Sequence, residues 1–163
     1  MQHAAPAILH AIEASGFASA IREGVWIYPI ANVLHVVAVI AFFAAVAFMD
    51  VRLVGAFKQT SAYAVVRTAR WFAVPTFAIA AATGFILFAA EASHVGMNWV
   101  FQFKMALLAL GLLNVLAFEL IFGRRLAEIP PDAPLPGFIR LSASFSLLVW
   151  LLVAAFGRSI AYV

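Results

Sequence analysis

Four apolar runs dominate this chain, each long enough to cross the roughly 30 Å hydrocarbon layer as a helix of about 20 residues. They cover about Trp26–Leu53, Trp71–Ala90, Trp99–Phe122 and Phe138–Phe156. The first continues to Gly55 as WIYPIANVLHVVAVIAFFAAVAFMDVRLVG, is broken by a single histidine, His35, and closes on Asp50-Val-Arg52. Too little polar sequence remains between the runs for a water-soluble domain. The composition agrees: 66% of residues are hydrophobic and 10% charged, where soluble domains average about 45–50% and about 25%. The chain reads as an all-α integral membrane protein, and short loops between spans make neighbours antiparallel. An antiparallel four-transmembrane-helix bundle is therefore expected, forming a single membrane domain over residues 1–163.

A net charge of +3 and a sequence pI near 9.8 raise the question of nucleic acid. The basic residues lie in the short loops, however, where they set topology instead. Arg52, Lys58, Arg67, Arg70, Arg124, Arg125 and Arg140 fall on one side; Arg22 and Arg158, with Lys104 just inside a span, fall on the other. The positive-inside rule then places the larger group in the cytoplasm and both termini in the periplasm of a bacterial inner membrane. The bilayer is the partner this composition demands; redox or membrane-complex subunits and a second copy of the chain are further candidates, and nucleic acid is not.

Residues 5–23 form an expected amphipathic helix at the membrane surface, with Ile8, Ile12 and Ile21 on one side and His10, Glu13, Arg22 and Glu23 among its polar members. The N-terminus lacks a basic region leading into an apolar core, so no cleaved signal peptide is expected. The connector Lys58–Arg70 is polar, Glu91–Asn98 reads as a short loop, and EIPPDAPLPG (Glu128–Gly137) is too rich in proline to be helical throughout. The first span ends in VAFMDVRLVG and the third in VLAFELIFGR, a faint pseudo-repeat of two hairpins.

The absence of cysteine removes disulfides, thiolate metal sites and covalent haem attachment. No serine–histidine–acid pattern, HExxH or phosphate loop is present. Ionisable residues inside a span are functional candidates by default. At 1.5 Å per residue, His35 lies about 13 Å below Trp26, Lys104 about 8 Å and Met105 about 9 Å below Trp99, and Thr83 about 12 Å from Glu91. One outer-half pocket can therefore gather His35, Lys104, Thr83, Met105 and Trp150, with Tyr28 two turns above His35 on the same face. Ala31 and Ala38 flank His35 and leave room for a neighbouring helix backbone or a flat ligand. Asp50, Arg52, Arg70, Glu119, Arg124 and Arg125 gather at the opposite end, where ion pairs that anchor helix ends, or contacts to anionic lipid headgroups, are expected.

With these residues in view, the chain resembles a family of small, uncharacterised bacterial inner-membrane proteins with four spans. The motifs that carry the resemblance are WIYPIANVLH (Trp26–His35), MDVRLVG (Met49–Gly55), TGFILFAAEA (Thr83–Ala92) and NWVFQFKMALLALGLLN (Asn98–Asn114). The resemblance implies that a first-span histidine and a third-span lysine recur, here His35 and Lys104. Where relatives carry a glycine three positions after the histidine this chain has Ala38, and where many end the third span in histidine it has Glu119. A more distant likeness is to the membrane domain of copper-resistance proteins.

Three functions follow as alternatives. The pocket holds haem b or a comparable redox cofactor on His35, with Lys104, Met105, Thr83 and Tyr28 around it. Or His35, His94, His10 and Met97 form an outward-facing copper site of imidazole and thioether ligands. Or His35 only bonds a neighbour such as Thr83, and the chain is an accessory or assembly subunit of a larger membrane complex.

Overall fold

The computed structural model describes residues 5–131 and 133–160. All regular structure among them is helical: α1 (Ala7–Glu13), α2 (Gly16–Glu23), α3 (Ile27–Val54), α4 (Ala62–Ala90), α5 (Ala92–Met97), α6 (Trp99–Phe122), a 3-10 turn (Arg125–Glu128) and α7 (Gly137–Ser159). The helices α3, α4, α6 and α7 are each long and apolar enough to cross a membrane. Their outward faces carry large apolar side chains, among them Val37, Ile40, Leu113 and Leu141. That is a surface for lipid.

Caps explain where the elements start and stop. The Ser15 hydroxyl donates to Ile12 O (2.6 Å) and accepts from Ala18 N–H (3.2 Å). It closes α1 and opens α2, so the expected single helix over residues 5–23 is two short ones. Ser61 accepts from Ala64 N–H, and α4 begins at Ala62 within the stretch expected to be a connector. Ala62, Val66 and Ala69 are buried along one stripe of that extension, while Arg67 points outward. The early turns of α4 are thus amphipathic, which average polarity conceals. Asn98 accepts from Val100 N–H (2.8 Å) and starts α6. The stretch before it, expected as loop, forms the short α5. Gly55 ends α3 at φ +126°, a conformation L side chains rarely adopt.

α3 packs most extensively on α4, α7 most extensively on α6, and α3 and α7 also meet. α4 and α6 meet mainly through side chains: the Arg70–Glu119 ion pair near one end and Phe88 stacked on Phe101 (5.2 Å) near the other. One apolar cluster at the Arg70 end joins Leu53, Val66, Phe118, Leu126 and Ile139. This is called the basic end below. At the opposite end α1, α2 and α5 form a collar in which Ile21 packs with Ala89, Ala90 and Tyr28. Arg22 Nη1 donates to Ala90 O (3.1 Å), placing a cation where the last carbonyls of α4 carry negative partial charge.

The collar carries one pH-sensitive clip. The Ser93 hydroxyl and backbone N–H, the latter 2.7 Å from Glu13 Oε2, hold the Glu13 carboxyl below the usual carboxylate range. A carboxylate whose pKa folding lowers contributes stability above its unfolded value and loses it as pH falls through the folded one. The clip therefore holds at neutral pH and opens in acid. The amide protection factor of Ser93 should be constant from pH 7 to 5 and drop below about pH 4, the range of an ordinary glutamate. Equal protection in Glu13→Gln across that range would exclude the carboxylate as the cause.

Candidate functional site

His35 lies two turns into α3, in a stripe with Ala31 and Ala38, both 5% exposed. The stripe faces α4. His35 Nδ1 is 2.9 Å from Ala80 O and 3.2 Å from Thr83 Oγ1. A carbonyl only accepts, so Nδ1 carries the proton, and the lone pair belongs to Nε2. Thr83, itself buried, donates its hydroxyl to Ile79 O (2.7 Å) and so can only accept from the imidazole. The ring fits because residue 84 is glycine: a Cβ there would lie 2.9 Å from His35 Cε1 and 3.3 Å from Nδ1. The small residues around His35 thus admit the backbone of α4, which decides between a helix and a flat ligand on that face.

Lys104 occupies the second turn of α6 and seats on another glycine. A Cβ at Gly157 of α7 would lie 3.4 Å from Lys104 Cε and Nζ. Lys104 has no carboxylate partner among the described residues. It therefore seats against α7, while His35 and Thr83 are brought into direct contact.

The other expected members are not. Met105 is 44% exposed on the bundle surface, because adjacent helical positions diverge by about 100°. Tyr28 is drawn into the collar with Ile21 and Ala89. Trp150 packs edge-on against Phe42 at 4.7 Å, deeper in the bundle. Among the expected copper ligands, His94 and Met97 are exposed on α5, and His10 shares a 3.2 Å hydrogen bond with Ser93. No three His, Cys, Asp or Glu side chains group as metal ligands among the described residues. The four-residue copper set is not assembled.

At the basic end the expected ion-pair cluster resolves into three different things. Arg70 pairs with Glu119. Arg52, 2% exposed, donates from Nε and Nη2 to Thr60 O (2.9 and 2.7 Å) and from Nη2 to Pro131 O (3.3 Å). Asp50, also 2% exposed, takes part in neither, and its Oδ2 has no hydrogen-bond partner among the described residues. Sequence reasoning placed Asp50 in the anchor because it stands beside Arg52 in the chain. Positions i and i+2 do not face each other on a helix, and that spacing was the available signal.

Asp50 lines a cavity of about 180 Å³ between α3, α4, α6 and α7. Ser146 and Trp150 of α7 also line it; the Ser146 hydroxyl faces the Asp50 carboxyl without closing a hydrogen bond of good geometry, and Trp150 Nε1 is likewise buried without a partner among the described residues. Asn114 and Ser142 border the cavity as a satisfied pair, Ser142 Oγ donating to Asn114 Oδ1 (3.0 Å) and Asn114 Nδ2 to Ser142 O (3.3 Å).

Neither a curated protein nor a solved structure matches the chain, so the likeness to copper-resistance membrane domains has no counterpart there. A family described as of unknown function, DUF6644, matches residues 13–163, from the end of α1 through all four long helices, and the chain belongs to it.

Proposed function

We propose that this protein is a cofactor-binding membrane protein, with its four long helices inserted antiparallel, its basic end in the cytoplasm and its collar outside, and that His35 and Lys104 hold a haem b or similar redox group in the outer half. The observation that carries this is the His35 tautomer. An imidazole that ligates a metal characteristically donates its other N–H to a carbonyl or carboxylate, which fixes the ring and frees the second nitrogen. His35 does so toward Ala80 O, and Nε2 has no hydrogen bond among the described residues. Lys104 complements it as an ammonium with no carboxylate partner among the described residues, and haem propionates are anionic. The donor set fits one axial position from this chain, since Met105 is turned away. When bound, the group would supply one-electron chemistry; the chain's own part is to orient one nitrogen and to present one cation.

The purified protein, supplied with haem in excess, should show a Soret band that is lost in His35→Ala and weakened in Lys104→Ala. A colourless, metal-free protein under those conditions rejects the proposal. One observation favours an accessory subunit without a cofactor instead. The small-residue face around His35 is filled by α4, which makes the histidine a clamp between helices. Co-purification of a colourless protein with larger membrane subunits supports that role.

A further inference from the structure

We infer that the cavity around Asp50 is a binding site for a lipid-soluble hydroxyaromatic headgroup, a phenol or quinol ring entering from the bilayer. It lies apart from His35 and does not depend on the haem proposal.

The polar atoms come first. Asp50, Ser146 and Trp150 are 2%, 3% and 3% exposed, and each brings an unpartnered buried atom to the lining of the same cavity. Leaving such a group unsatisfied forfeits its hydration without return, and more so for a charge. Native structures keep few of them, and a carboxyl group inside an apolar bundle marks function by default. No arginine satisfies Asp50: Arg52 is engaged with loop carbonyls and Arg70 with Glu119. The positions also fall into register. Phe42, Val46 and Asp50 recur every four residues on α3, as do Ser142, Ser146 and Trp150 on α7, so each set forms one stripe.

The three atoms define the chemistry of the occupant. Trp150 Nε1 only donates, the Asp50 carboxyl offers an acceptor oxygen, and Ser146 does either. A bare cation answers the carboxylate and leaves the indole N–H unmet. A neutral ring bearing a hydroxyl both donates to Asp50 and accepts from Trp150 or Ser146. Aromatic walls suit it as well, with Phe42 against Trp150 at 4.7 Å and against Phe77 at 5.3 Å. The volume of about 180 Å³ compares with the roughly 150 Å³ that accommodates benzene in an apolar core.

The route in decides between a solute from water and one from lipid. Val74 of α4 with Leu112 and Val115 of α6 line the cavity while being 67%, 40% and 41% exposed on the apolar surface of the bundle. Side chains that border the cavity and also face outward mark its mouth. That mouth lies along the α4–α6 seam, where the helices meet mainly through side chains. An apolar mouth admits a molecule that already partitions into lipid.

The test uses the full chain in phosphatidylcholine nanodiscs and a decyl-substituted benzoquinol as probe, with protein-free nanodiscs as the partition control. Saturable retention is expected, weakened at least about tenfold in Asp50→Asn, which replaces a carboxyl oxygen in the cavity lining with an amide nitrogen that cannot accept. Val115→Trp, a change on the exposed side of the mouth, should block retention without lowering the melting temperature. It decides the matter if Asp50→Asn does not fold. Retention no greater than in protein-free nanodiscs overturns the inference, as does wild-type affinity in either folded variant. A sodium-dependent rise in melting temperature that Asp50→Asn abolishes, without retention of the quinol, overturns it in favour of a cation.

Discussion

Arg52→Ala should lower the unfolding free energy by roughly 2–4 kcal/mol, in the range reserved for buried hydrogen-bond networks. The guanidinium is 2% exposed and serves two segments far apart in sequence: Thr60 O in the turn before α4 and Pro131 O in the proline-rich segment after α6. Truncation leaves those carbonyls without their charged donor. Arg52→Lys should recover only a part, because one ammonium on a flexible stem does not reproduce a planar fork aimed at two carbonyls. Unfolding by denaturing detergent in mixed micelles measures both. A loss below about 1 kcal/mol for the alanine variant, the size of an exposed ion pair, would show that Arg52 is an ordinary surface anchor.

Gly84→Ala should be the second costly change, at about 1–3 kcal/mol for overpacking. The added methyl would lie 2.9 Å from His35 Cε1, and the ring cannot retreat without giving up its 2.9 Å bond to Ala80 O. The cost therefore depends on the histidine. In a double-mutant cycle, His35→Ala should relieve Gly84→Ala, with a coupling of roughly 1–2 kcal/mol, within the range for residues in contact. Simple additivity of the two losses would mean that the close approach is taken up elsewhere. The same pair bears on the haem proposal, since Gly84→Ala disturbs the imidazole without removing its nitrogen.

Periodicity and apolar length made the four long helices legible: the third runs from Trp99 to Phe122 as expected, the first is shifted by one residue, and the fourth extends by one residue at its start and three at its end. The proline-rich break before α7 was readable as well, since it acts through local backbone chemistry. Depth was readable only where a span's end was. Counting from Phe156 put Trp150 near His35, yet α7 runs on to Ser159 and the indole meets Phe42, two turns deeper on α3. Azimuth was not readable. Met105 shared the depth of Lys104 and missed its face. Asp50 shows the converse: its stripe with Phe42 and Val46 was present in the spacing, but which helix that stripe would meet is a tertiary fact.

The collar has a consequence for how the chain comes together. α1 is held through Glu13 and His10 to Ser93, and α2 through Arg22 to Ala90, partners that lie 68 to 83 positions later in the chain. Contacts so distant in sequence cannot form until that later segment exists. At about 5–20 residues per second of synthesis, roughly 3 to 17 seconds separate the two events. During that interval the first two helices have a sheltered apolar stripe only at the lipid surface, while α3 and α4 can already pair as neighbours along the chain. The last step of assembly at that end is thus a lid closing over a hairpin already built, and the His35 contact with Ala80 forms before it is covered.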